Sequence, residues 1–150
     1  MLDTNVFNDL LKQKISPSLF AGYHVIATGI QLDELKATPP EETRTSLLNV
    51  FEEVAPVPTL ASSFAFGIEG AGWGQACWND GTGRFQNMLA SLKALDGKDR
   101  GENQLRDILI AETAIKNGAI FISRDGNLRK VVSEFGGHVV SLEEFQSSET

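Results

Sequence analysis

Apolar and polar positions along the chain alternate between helical and strand-like spacing. Between residues 102 and 118, at about 100° per residue, Asn103, Gln104, Ile108, Ile110, Ala111, Ala114, Ile115 and Gly118 share one mainly apolar arc. A Gly turn leads into the short apolar run Ala119-Ile120-Phe121-Ile122, which reads as a buried strand. Leu128, Val131, Val132 and Phe135 then mark a helix that Gly136-Gly137 stops, and His138-Val139-Val140 reads as a last strand. Ser141 to Glu144 reads as a short capped turn of helix, with Gln146 to Thr150 expected to fray.

The first half repeats the alternation. Met1-Leu2 reads as the end of a strand, and Phe7, Leu10 and Leu11 give the apolar side of a helix over Val6 to Gln13. His24 to Ala27 is a strand candidate, and Thr28-Gly29-Ile30-Gln31 has the form of a capping box opening a helix that Pro39-Pro40 stops. Leu47, Leu48, Val50, Phe51 and Val54 predict a helical arm over the sheet, broken by Ala55-Pro56-Val57-Pro58. Arg84 to Leu95 is a further helix candidate, with Phe85, Met88, Leu89 and Leu92 at helical spacing, and Asp96 to Gly101 reads as a solvated loop. Strands alternating with helices predict an α/β fold of three layers, α/β/α, around a mostly parallel central sheet. At 150 residues the chain is expected to form one domain, 1–150.

Residues 61 to 83 break this order. Six glycines lie between Gly67 and Gly83, with Trp73 and Trp78 among them. Two readings stay open: a loop whose aromatics stack on bases or dock a partner, and, favoured, two Trp side chains closing the edge of the core. Leu105 and Leu109 project from the polar side of their helix, so they require a cover. Another helix, a second subunit or a separate protein would serve.

Composition narrows the class. Hydrophobic residues make up 41% and charged residues 22%, as in a globular protein. No apolar run is long enough to span a membrane, and the start, MLDTNVFND, is acidic where a secretion signal would be basic, so a cytoplasmic protein is expected. A single cysteine, Cys77, excludes an internal disulfide and a cysteine-rich zinc site. His24 and His138 read as strand-edge residues rather than ligands. The net charge of -7 argues against broad capture of nucleic acid. Arg124, Arg129 and Lys130 are the first candidates for local phosphate contact.

Four carboxylates stand out against this background. Asp107 falls in the middle of the apolar arc, where burying an unpaired charge costs at least several kcal/mol. Asp125 directly follows the 119–122 strand candidate, and Asp3 follows Met1-Leu2; both sit at the carboxyl end of a strand, where open α/β sheets bind ligands. Glu34 lies one turn after Ile30 and faces inward, whereas Asp33 is rotated toward water. Each has a plain structural reading, as a helix cap or a solvated first-turn acid. Together they predict one acidic cleft, which repels itself unless a cation enters.

Leu-Asp-Thr-Asn-Val-Phe at 2–7, Glu-Leu-Lys at 34–36, Asp-Ile-Leu-Ile-Ala-Glu-Thr-Ala at 107–114 and Ile-Ser-Arg-Asp-Gly-Asn-Leu at 122–128 resemble the four acidic blocks of a PIN domain. The toxin ribonucleases of VapC type, from toxin-antitoxin modules, are the nearest resemblance, and it covers nearly the whole chain. It implies that Asp3, Glu34, Asp107 and Asp125 form a catalytic quartet holding one or two divalent ions, Mg2+ or Mn2+. It also implies support from Thr4, Asn5 and Ser123, with Asn127 standing where relatives often carry an acid. Asn103, one turn before Asp107, is a candidate to orient it.

The chemistry implied is hydrolysis of an RNA phosphodiester. Hard oxygen ligands suit Mg2+, which eases deprotonation of water and stabilises charge developing on phosphorus and the leaving oxygen. The expected partners are an RNA substrate, a small antitoxin protein and a second copy in a homodimer, with no membrane. The rival readings are a PIN-like nuclease in RNA processing without an antitoxin, and a non-catalytic protein-binding module of the same fold. A phosphatase with a nucleophilic Asp is weaker, because its usual second Asp, two residues on, is Asn5 here.

Overall fold

The computed structural model describes residues 1–150 apart from Phe64, Phe66, Gln75, Trp78, Asn79 and Asp80. Among the described residues, helices α1 (Thr4–Gln13), α2 (Gly29–Lys36), α3 (Glu41–Val54), α4 (Arg84–Asp96), α5 (Glu102–Lys116), α6 (Gly126–Glu134) and α7 (Leu142–Ser148) alternate with short strands. The strands are β1 (Ile26–Ala27), β2 (Val57–Pro58), β3 (Ile120–Ile122) and β4 (His138–Val140), and a single 3-10 turn spans Pro17–Phe20. The class is α/β, and the named strands pair in parallel.

Local chemistry fixes the helix starts. At α2 the Thr28 side chain accepts from the helix backbone while the Gln31 side chain accepts from the Thr28 N–H, and Ser141 with Glu144 repeats the box at α7. Asp3 and Asp125 cap α1 and α6 with their carboxylates. Two of the four acids singled out above therefore do double duty as helix caps.

The pairing differs from the single sheet expected. β1 pairs with β2 and β3 with β4, giving two two-stranded sheets. Met1 to Asp3 run alongside β3: the Met1 amino group donates to the Ile120 carbonyl at 2.7 Å, Ile122 N–H donates to Met1 O and Asp3 N–H donates to Ile122 O. Leu2, 2% exposed, shares a hydrophobic cluster with Val25 and Ile122. Val57-Pro58, expected as a break, is a strand. The Val57 and Thr59 N–H groups donate to Val25 O and Ala27 O, so the N–H that proline lacks falls at the position facing away from β1.

Burial divides between two clusters. One centres on α5, where Ile108, Leu109, Ile110, Ala111 and Ala114 are fully buried against Met88 and Leu92 of α4, Phe121 of β3, and Leu128, Val131 and Val132 of α6. The other joins Val6, Phe7 and Leu10 of α1 to Leu35, Leu47, Val54 and Phe145. Each of the larger side chains among these contributes about 1.5–3 kcal/mol by leaving water. The cover that Leu105 and Leu109 require comes from the same chain: Leu109 is fully buried in this cluster and Leu105 packs against it.

Two further expectations are corrected. The tail does not fray at Gln146: Phe145 stacks on Phe20 and meets Tyr23 edge-on, and α7 continues to Ser148. Trp73 is 72% exposed and so does not close the core, while Trp78 lies outside the described residues. The glycine-rich stretch is nonetheless tied in. Gly70 has φ +83, and a Cβ there would stand 2.5 Å from the Ile30 nitrogen at the start of α2, so only glycine fits. Among the described residues, no helix is long and apolar enough to cross a membrane.

Candidate acidic site

The four acids come from four places in the chain and meet at one end of the strands. Asp3 is 3% exposed. Its carboxylate accepts from Thr4 N–H at 2.8 Å, from the Asn5 amide at 2.5 Å and from the Ser123 hydroxyl at 2.6 Å. The buried Ser123 in turn accepts from Asp125 N–H at 3.1 Å, so one hydroxyl ties the end of the first segment to the end of β3. Asp125 spends Oδ1 on the N–H groups of Asn127 and Leu128, which leaves Oδ2 to the cleft. Thr4 donates its hydroxyl to Glu34, which ties the half-buried Glu34 of α2 to the first segment. Asp33 and Glu34 line one pocket together with Ile30, Ala37, Glu69 and Arg106.

Electrostatics bind the four into one unit. Burial raises the Asp3 carboxyl to about 6, against the hydrogen bonds from Ser123 and Thr4, and the charges of Glu34 and Asp125 raise it further. Asp107, on α5, is raised to about 8, first by burial and then by Asp3; Glu34 and Asp125 add to this, while Arg100 pulls the other way. Burial also raises Glu34, against the Thr4 hydrogen bond and the charge of Arg106. Asp107 thus feels each of the other three acids. The Asp107 and Asp125 side chains keep 22% and 29% of their exposure, so the cleft opens to solvent on their side.

The supporting residues divide. Thr4, Asn5 and Ser123 lie in the network, and Asn5 also accepts from Arg124 N–H. Asn127 donates to Asp96 at 2.9 Å rather than to a quartet member. Asn103 is exposed in the first turn of α5; the buried amide on this arc is Gln104. Of the basic residues, Arg124 pairs with the buried Asp9 of α1, and Arg129 donates to the carbonyls of Ser123 and Arg124. Lys130 is exposed, and His24 and His138 are exposed at their strand edges.

The loop expected to be solvated supplies two residues that the sequence reading passed over. Asp96 ends α4, Gly97 turns the chain with φ +67, and Arg100 folds back over the turn. Burial would raise the Asp96 carboxyl, but hydrogen bonds from Asn127, Gln104 and Arg100 hold it below the ordinary carboxylate value. The signal was Gln104 itself, a polar residue on an apolar arc that needed a partner upstream.

The donor set suits a hard cation: oxygen only, short of hydrogen-bond donors at Asp107, and mutually repelling. As placed, no three acidic, His or Cys side chains among the described residues draw together closely enough to hold a metal ion. A guanidinium stands between two of them instead. Comparison of the chain with protein-family models, curated proteins and solved structures gave no match.

Proposed function

We propose that this protein is a metal-dependent endoribonuclease that hydrolyses RNA phosphodiester bonds. The observation that carries the reading is the coupling at Asp107, whose carboxyl is raised first by burial and then by Asp3, Glu34 and Asp125 together. Two of these acids cap helices, but capping does not require four like charges to lie near one another, and a divalent cation would offset their repulsion. Asp3, Glu34, Asp107 and Asp125 would hold Mg2+ or Mn2+. When bound, the ion eases deprotonation of water and stabilises charge on the phosphate.

The chain's own residues supply order. Ser123 fixes Asp3 relative to Asp125, and Thr4 fixes Glu34 relative to Asp3. Arg124, paired with Asp9, keeps 60% of its side chain exposed and would meet a phosphate. Arg129, engaged with two carbonyls, acts by shaping the loop around Arg124. In this reading the two small sheets and the Met1–Asp3 segment form the middle of a three-layer PIN-like domain. The protein is then the toxin of a pair whose small antitoxin blocks the cleft. A non-catalytic protein-binding module of the same fold is the second reading, favoured by the absence, among the described residues, of a group closed to metal-binding distance.

Calorimetric titration with Mn2+ of the natural protein, Asp3→Asn and Asp107→Asn decides between them. The nuclease reading expects binding that both substitutions abolish, and cleavage of RNA that disappears with it. No binding at millimolar metal leaves the binding module.

A further inference from the structure

We propose that Arg100 is a built-in cation that occupies the acidic cleft in the metal-free protein and must withdraw from Asp107 and Asp125 before a divalent ion binds. The inference rests on the metal-dependent reading above and deepens it. Arg100 Nη2 lies 2.8 Å from Asp96 Oδ2, 3.3 Å from Asp107 Oδ2 and 3.9 Å from Asp125 Oδ2. One nitrogen therefore faces three carboxylates, two of them in the quartet.

The arginine is held there by groups outside the quartet. Its Nε donates to Asp96 at 2.9 Å, and its backbone N–H donates to Gln104 Oε1 at 2.8 Å. Gln104 has no exposed surface and donates its amide to Asp96 and to the Lys98 carbonyl. Asn127 completes the hold by donating to the other Asp96 oxygen. This scaffold survives if Nη2 leaves Asp107 and Asp125. The guanidinium has a resting partner in Asp96 whichever cation fills the cleft.

Magnesium-sized ions sit about 2.1 Å from carboxylate oxygen, inside the space that Nη2 takes up beside Asp107 Oδ2. Two cations competing for the same oxygens repel each other strongly where water is partly excluded. A metal that takes Asp107 Oδ2 and the Arg100 contact to that oxygen therefore exclude each other, and the affinity for metal is set by how firmly Asp96 draws the arginine back. Asp96 and Gln104 become determinants of metal affinity without touching the metal.

The test is Mn2+ titration by calorimetry of the natural protein, Arg100→Gln and Arg106→Gln. Arg106 carries the same charge, pairs with Glu102 and lies beside Glu34 rather than between Asp107 and Asp125. Arg100→Gln is expected to bind Mn2+ about tenfold more tightly than the natural protein, and Arg106→Gln to change affinity by no more than about threefold. In a parallel Mg2+ titration the Arg100 Nε–H resonance of the natural protein is expected to shift as the guanidinium moves. Equal affinity in the natural protein and a folded Arg100→Gln, or an equal gain in Arg106→Gln, overturns the competition while leaving the nuclease reading intact. No binding by any of the three overturns both.

Discussion

Helix α5 carries two acids five residues apart that have been treated in opposite ways. Glu112, 2% exposed, receives the hydroxyls of Ser62 at 2.5 Å and Ser63 at 2.9 Å and has the Arg84 Nε at 3.5 Å. Asp107 receives one long contact from Arg100, at 3.3 Å, and faces three like charges. A carboxylate that serves the fold is surrounded by donors; one left short of them stores a cost that a proton or a cation relieves. The contrast separates a tie from a candidate site.

The first way to break the comparison is at Glu112. Replacing it with Ala leaves two buried hydroxyls without their acceptor and removes the carboxylate that faces Arg84, so Glu112→Ala is expected to lose about 3 kcal/mol in chemical denaturation. Asp107→Asn should move in the other direction, gaining about 1 kcal/mol at pH 8 in the absence of metal. At pH 5 that gain is expected to vanish, because the natural carboxyl already holds its proton. A loss of stability at both pH values would place Asp107 with Glu112, as a tie.

The pH profile sharpens the same point with a smaller signal. Asp107 and Asp3 titrate at about 8 and about 6 in the folded protein, above their ordinary 3.8. Between those values the folded state holds protons that the unfolded chain has released. Their contribution is therefore full below about pH 4 and is lost as pH rises through the folded values. Metal-free stability is expected to fall between pH 4 and 6 by at most about 1.4 kcal/mol per pH unit for each group. Above pH 6 the slope flattens, because Asp3 has then given up its proton in the folded state too and the Met1 amino group, lowered by burial to about 6, works the other way. Asp107→Asn should roughly halve the fall between pH 4 and 6.

What could be read without coordinates follows from how local the determinants are. The capping boxes at Thr28 and Ser141 and the arc of α5 are written within a few residues, and the helices stand where that chemistry puts them. The placing of Glu34 rather than Asp33 followed from one turn of helix. Pro58 misled because a proline reads as a break unless its neighbours' N–H groups are known to face a strand. Arg100 and Asp96 escaped notice because a charged, glycine-bearing loop looks solvated until a buried amide draws it inward. Trp73 shows the reverse, since an aromatic among glycines suggested a core edge and stands exposed.

The pairing of Met1–Asp3 with β3 joins positions 119 residues apart. It is among the most distant contacts in the chain, and closing so long a loop carries an entropic cost that local helices do not meet. During synthesis from the N-terminus, Asp3 has no strand to lie against until Ile120 to Ser123 have emerged. The acidic cleft therefore forms late: a chain translated only as far as α5 carries three of its acids with no β3 to gather them.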